Sequence, residues 1–126
     1  MTHLFHGSLV ALITPFKNGK LDENALEHMV EWHIKNGTDA IVPAGTTGEC
    51  PTLTHEEHMR VVELTAQVAN GRAPVLAGAG SNNPVEAVAL TQAAEKAGAD
   101  GVLHVAGYYN RPDQNGLYAH FKMVHD

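Results

Sequence analysis

Cysteine, basic residues and long apolar runs are all scarce in this chain of 126 residues. Cys50 is the only cysteine, so no disulfide can form within the chain. Lys and Arg together number 8 against 14 Asp and Glu, a formal net charge of -6. The basic residues are scattered, which leaves no basic stripe to track a phosphate backbone and excludes a nucleic-acid binder of the ordinary kind. No apolar stretch approaches the roughly 20 residues that a membrane helix needs. The start, Met1-Thr2-His3-Leu4-Phe5-His6, has neither a positive region nor an apolar core and does not read as a secretory signal. Together these absences fit a cytoplasmic protein. The apolar share of 44% and the charged share of 17% are ordinary for a globular chain, one domain or part of one at this length.

What is present is an alternation. Residues 8–14 form a nearly continuous apolar run, the pattern of a parallel strand buried on both faces. Pro15 and Asn18-Gly19 then mark a loop. Asp22 is placed to cap a helix with Leu26, Met29, Val30, His33 and Ile34 on one face, closed by Asn36-Gly37. Residues 39–44 read as a second strand. Thr54-His55-Glu56-Glu57 matches the capping box, a cap hydroxyl with a carboxylate three residues on. Met59, Val62, Ala66 and Ala69 continue that helix to Asn70-Gly71. Residues 74–77 are a third strand, ending in Gly78-Ala79-Gly80. Asn83 and Pro84 open a helix whose expected buried face is Val85, Val88, Ala89 and Ala93, ended by Gly98. Residues 101–105 are a fourth strand, the stretch from Tyr108 to Pro112 a loop, and 116–124 a fourth helix.

Strand then helix, four times, at roughly 30 residues per unit, means a parallel sheet covered by helices. Eight such units close a (β/α)8 barrel of about 250 residues, so this chain has the content of half of one. A free-standing flavodoxin-like sheet with helices on two faces is the alternative.

The stretch around which the rest is organised is Gly45-Thr46-Thr47-Gly48-Glu49, between the second strand and the second helix. Glycines allow close backbone approach and unusual turn dihedrals, and backbone amides with threonine hydroxyls suit a carboxylate or phosphate. An ordinary strand-to-helix turn explains the same residues without a ligand. The nine histidines offer no metal site: His55 and His58 are three apart on one helix, not the four-residue spacing of the zincins, and no third ligand is evident. His104 reads as a packed or hydrogen-bonded histidine, and Cys50 as a packing residue. Gly78-Ala79-Gly80 lacks the Lys-Ser/Thr ending of a phosphate loop.

Gly45-Thr46-Thr47-Gly48-Glu49, then Thr52-Leu53, then Tyr108-Tyr109-Asn110-Arg111-Pro112 resemble dihydrodipicolinate synthases, pyruvate-dependent class I aldolases built on the TIM barrel. The likeness runs from about Gly7 to the last residue, with one departure: Gly107 stands where that family usually has proline. The resemblance implies a half-barrel, the first four βα units, with residues 1–126 as the front half of an aldolase domain that stops before the Schiff-base lysine. It implies a lyase condensing pyruvate with aspartate semialdehyde through that lysine, on the way to diaminopimelate and lysine, with no metal and no cofactor. It implies Thr47 as the donor to the substrate carboxylate, and Thr46 and Tyr109 as members of a catalytic hydroxyl relay, Tyr109 reaching across a subunit boundary. It also implies a homodimer or homotetramer, and a cleft for inhibitory lysine at Cys50, Pro51, His55, His58, Asn82, Glu86 and Tyr108. The first motif is shared by the wider superfamily, so an N-acetylneuraminate lyase or keto-deoxy-sugar-acid aldolase is the second reading, and a non-catalytic half-barrel scaffold the third. None of the five lysines, Lys17, Lys20, Lys35, Lys96 and Lys122, sits on a predicted strand where a desolvated amine could lose its proton.

Overall fold

The structure is a computed structural model that describes residues 3–126; Met1 and Thr2, part of the start read above, lie outside the described residues. Four short parallel strands carry it: β1 (Leu9–Ala11), β4 (Ala40–Val42), β5 (Leu76–Gly78) and β6 (Gly101–Leu103). A small antiparallel pair, β2 (Phe16–Lys17) and β3 (Lys20–Leu21), follows β1. Four helices alternate with the parallel strands: α1 (Glu23–Lys35), α2 (His55–Ala69), α3 (Pro84–Lys96) and α4 (Gln114–His125).

The pair β2–β3 is a finding that the sequence reading missed, taking the stretch for a loop. Asn18 and Gly19 both adopt positive φ, 54° and 74°. That is the requirement of a tight two-residue hairpin turn, and Asn-Gly is its commonest dipeptide. The first helix starts as expected, with the Asp22 carboxylate accepting from Ala25 N at 3.1 Å. The capping box at the start of α2 is present in both directions: Thr54 Oγ1 accepts from Glu57 N and the Glu57 carboxylate accepts from Thr54 N. The fourth helix begins two residues before the expected start, because Asp113 caps it by accepting from Gly116 N at 2.8 Å.

Consecutive strands are neighbours. Leu9 pairs with Ala40 and Ala11 with Val42. Ile41 bridges to Val75, and Gly78 N donates to the Pro43 carbonyl at 2.9 Å, which joins β4 to β5. Leu76 pairs with Gly101 and Gly78 with Leu103. In a flavodoxin-like sheet the first strand lies between the second and the third. Here the second parallel strand, β4, lies between the first and the third, so the flavodoxin-like alternative is not what this chain adopts.

One device recurs where a helix hands over to a strand. After α1, Gly37 takes φ 82° and Asp39 turns its carboxylate onto Ser8 N at 2.7 Å. After α3, Gly98 takes φ 88° and Asp100 turns its carboxylate onto Val75 N at 2.8 Å. In both places the same aspartate's N–H donates to the carbonyl of the residue its carboxylate caps, Ser8 or Val75. Each aspartate so stitches the start of its own strand to the start of the preceding one.

The core lies between the sheet and the helices and holds Leu12, Leu26, Val30, Ile41, Val61, Val62, Leu64 and Ala77. Two helix faces differ from expectation. On α2 the buried residues are His58, Val61, Val62, Leu64, Thr65 and Ala69, while Met59 is exposed and Ala66 half-buried. On α3 they are Ala87, Leu90 and Ala94, while Val85 is 71% exposed and Ala89 exposed. Both helices are apolar around more than one side, so periodicity alone picked a stripe about one residue off.

Candidate active site

The threonine stretch follows the carboxyl end of β4, and its backbone is bent in a way the sequence did not foretell. Positive φ falls on Ala44 (53°), just before the stretch, and on Glu49 (58°), its last residue, and on neither Gly45 nor Gly48. The glycines serve space instead. A Cβ at buried Gly48 would sit 3.0 Å from the Leu12 carbonyl and 3.1 Å from Thr14 Oγ1. Thr14 Oγ1 donates to the Gly48 carbonyl at 2.7 Å, which ties the turn to the end of the first strand segment. Gly78 on β5 is a second close approach, since a Cβ there would meet the Ala44 carbonyl oxygen at 2.1 Å. The left-handed Ala44 is thereby seated directly against the next strand. Two of these turns, Thr46 O to Glu49 N and Gly45 O to Cys50 N, fold the loop back on itself and leave Thr46 and Thr47 exposed.

The loop after β6 carries the two tyrosines. Gly107 has φ 92°, and its neighbour Asn110 turns back so that its side-chain oxygen accepts from Tyr108 N at 3.0 Å. Proline is held near φ −65° and could not take this conformation. The departure at Gly107 is therefore built into the loop. Tyr108 is half-exposed and donates its hydroxyl to the Gly80 carbonyl at 3.3 Å. Tyr109 is 99% exposed, so the chain by itself does not bring it against Thr46.

Between these loops lies a small cleft of about 130 Å³. Cys50, His55, His58, Glu86 and Tyr108 all line it, from the turns after β4, β5 and β6 and the starts of α2 and α3. Asn82 does not; it faces the neighbouring cavity beside α4. The two histidines, three apart, do different work. His58 is buried, and its Nε2–H donates to the Gly78 carbonyl at 2.6 Å. Burial holds its imidazole below the ordinary value, with the Gly78 bond opposing. His55 is exposed and pairs its Nε2 with the Glu86 carboxylate. The second oxygen of Glu86 accepts from Ser81 Oγ. Those two bonds, Ser81 first, hold the Glu86 carboxyl below the usual range, so it is an anion at neutral pH. Burial pushes the Cys50 thiol up, which makes it a poorer nucleophile and supports its reading as a packing residue. Burial likewise raises Tyr108.

Residues 4–126 match the model of the family described as the dihydrodipicolinate synthetase family. The chain belongs to that family. It is 63% identical to a 4-hydroxy-tetrahydrodipicolinate synthase of Parvibaculum lavamentivorans, over 98% of this chain and 42% of the relative. Its fold superposes with a TM-score of 0.91 on the chloride-inhibited dihydrodipicolinate synthase of Acinetobacter baumannii complexed with pyruvate, 51% identical over 94% of this chain and 41% of that one. It superposes with a TM-score of 0.93 on the synthase of Cyanidioschyzon merolae with lysine bound, 41% identical over 98% of this chain and 42% of that one. The chain thus spans about 42% of the length of the curated relative it matches.

Within a synthetase-family chain, the geometry also brings in a residue that sequence reasoning passed over. Ser81 is fully buried, its Oγ accepts from Asn83 N at 3.0 Å, and it donates to Glu86. It fixes the carboxylate that faces the cleft. Its only sequence signal was a hydroxyl residue shortly before a helix cap, which says nothing of its burial. All five lysines are exposed.

Proposed function

We propose that these 126 residues are the front part of a 4-hydroxy-tetrahydrodipicolinate synthase, the first four units of a (β/α)8 barrel that condenses pyruvate with aspartate semialdehyde. The observation that carries this reading is the exposed Thr46-Thr47 pair at the carboxyl end of β4 in a chain of this family. Barrel enzymes build their sites from the loops at that end of the strands. In this reading Thr47 Oγ1 donates to the pyruvate carboxylate. Thr46 passes protons between its own hydroxyl and that of Tyr109, which a neighbouring subunit receives, so the working form is a homo-oligomer. Hydroxyls suit such a relay because each can donate and accept without carrying charge. The nucleophile is a lysine outside these residues; Lys17, Lys20, Lys35, Lys96 and Lys122 are all exposed and none lies on a parallel strand. A condensation assay on the full-length enzyme decides the substrate. Turnover of pyruvate with aspartate semialdehyde is expected, and cleavage of a sugar acid without that turnover would favour the sugar-acid aldolases instead.

The cleft supports a second part of the reading, an amino-acid regulator of lysine type. Anionic Glu86 faces an ammonium group, and Tyr108 and the histidines surround the rest. In calorimetry, lysine is expected to bind the full-length enzyme, and Glu86→Ala to weaken it by about 2 kcal/mol or more. Absent heat at millimolar lysine, or unchanged affinity in the variant, removes this site.

A further inference from the structure

Asparagine precedes glycine at four places, Asn18-Gly19, Asn36-Gly37, Asn70-Gly71 and Asn115-Gly116. Asparagine is chemically labile, and most so before glycine, which has no side chain to shield the next backbone nitrogen. That nitrogen, as its proton leaves to water, attacks the side-chain carbonyl carbon. A C–N bond forms, the side-chain nitrogen leaves as ammonia, and a succinimide ring remains. Water then opens the ring at either carbonyl and gives aspartate or isoaspartate. The sum is water consumed and ammonia released, with no oxidant and no enzyme.

The attack needs a glycine N–H open to water, and a hydrogen bond from that N–H hinders it. The four sites divide on this point. Gly37 N donates to the Ile34 carbonyl at 3.3 Å, and the Asn36 amide is itself held, Nδ2 donating to the Trp32 carbonyl at 2.7 Å. Gly116 N, in the first turn of α4, donates to the Asp113 carboxylate at 2.8 Å. A Cβ there would lie 3.1 Å from Pro112 Cβ, so that nitrogen is crowded as well as bonded. Gly19 and Gly71 differ. Neither N–H donates to a backbone carbonyl among the described residues. A Cβ at either would meet nothing within 4 Å, and Asn18 and Asn70 beside them are exposed.

We propose that Asn18 and Asn70 are sites of spontaneous conversion to aspartate and isoaspartate in the folded protein, while the bonded glycines protect Asn36 and Asn115. At Asn18 the change has structural reach. Lys17 pairs directly with Lys20 across the two-residue turn. Isoaspartate carries an extra carbon in the main chain, which a turn of fixed length and twist does not accommodate. The hairpin starts at Phe16, just after Thr14, whose hydroxyl holds the Gly48 carbonyl. Conversion at Asn18 therefore falls on the segment that anchors the threonine loop.

Peptide mapping of the full-length protein after incubation at mildly alkaline pH, folded and in denaturant, tests the assignment. In the folded protein Asn18 and Asn70 should convert about fivefold or more faster than Asn36 and Asn115, the factor that one net hydrogen bond supplies. In denaturant the four sites should converge on one rate, since glycine follows each. Failure of either Asn18 or Asn70 to convert in the folded protein, or Asn36 or Asn115 keeping pace with them, overturns the proposal. The same unequal order in denaturant overturns it too, because the cause would then be the neighbouring residues and not the fold. The test uses the unaltered protein, so no variant has to fold.

Discussion

Ala44 and Glu49 hold the threonine loop in left-handed backbone, and Gly45 and Gly48 let it lie close to its neighbours. A non-glycine residue at positive φ costs on the order of 1 kcal/mol or more and persists where the surroundings over-determine it. Seating Ala44 against Gly78 does that here. The result is a fixed platform that presents Thr46 and Thr47 outward, and the two neighbours should fail in different ways when altered. On the proposed roles, Thr47→Val in the full-length enzyme removes a donor to a charged carboxylate and should weaken pyruvate by about 1.5–3 kcal/mol, read as a raised KM. On the same proposal Thr46→Val breaks a proton path and should lower kcat by on the order of 10²–10⁴-fold. Steady-state kinetics in which both variants shift only KM, or neither shifts anything, would refute this division of labour. The threonine stretch stood out in the sequence because two hydroxyls sit between glycines after an apolar run, and the structure places both exposed beyond β4. The strain beside them was not legible, because nothing in Ala44 or Glu49 as residues announces a left-handed backbone.

At the scale of elements, helix starts were readable and helix faces less so. Thr54 with Glu57, and Asn83 with Pro84, act through bonds three residues or fewer apart, so local sequence determines them. Which stripe of α3 faces the sheet depends on where β5 and β6 lie, and that is not local. The small hairpin β2–β3 was legible in Asn18-Gly19 and was passed over. Arg60 on α2 grips Glu23 of α1 with two bonds of 2.8 Å, and Arg72, in the turn just past α2, pairs with Glu31 of α1. These pairs are solvent-exposed and set orientation more than stability. The buried link between α2 and β5 is His58 on the Gly78 carbonyl, and it makes stability depend on pH. Its folded value is depressed below the ordinary 6.5, so its contribution is complete above about pH 6.5 and is lost as pH falls through the folded value. His104 is shifted the same way and adds in the same window. The carboxylates Glu23, Glu31 and Glu86, also depressed, act only at more acid pH, below their ordinary 4.5. Denaturant midpoints should therefore begin to fall below pH 6.5, and His58→Gln should lessen that early fall. A midpoint flat down to pH 4.5 in the unaltered chain would contradict the assignment.

At the scale of the molecule, the inner strand β4 is buried on both faces as read, whereas the outer segments around β1 and β6 leave one face uncovered. Ile13 is 57% exposed and Leu103 48%, while Val10 and Val102 on the opposite side pack into the core. In the proposed barrel these exposed apolar side chains belong to the face turned to the interior. The α/β class was legible because strand and helix alternate at a constant spacing. The order of the strands was legible only as a choice between two sheets, which β4 between β1 and β5 resolves.

The central claim is that these residues belong to a pyruvate-condensing barrel whose nucleophile they do not contain. Borohydride trapping of pyruvate on the full-length enzyme, followed by mass mapping of the modified peptide, tests it most directly. The account predicts one stoichiometric adduct, on a lysine other than Lys17, Lys20, Lys35, Lys96 and Lys122. An adduct on any of those five, or no adduct at saturating pyruvate, would contradict it.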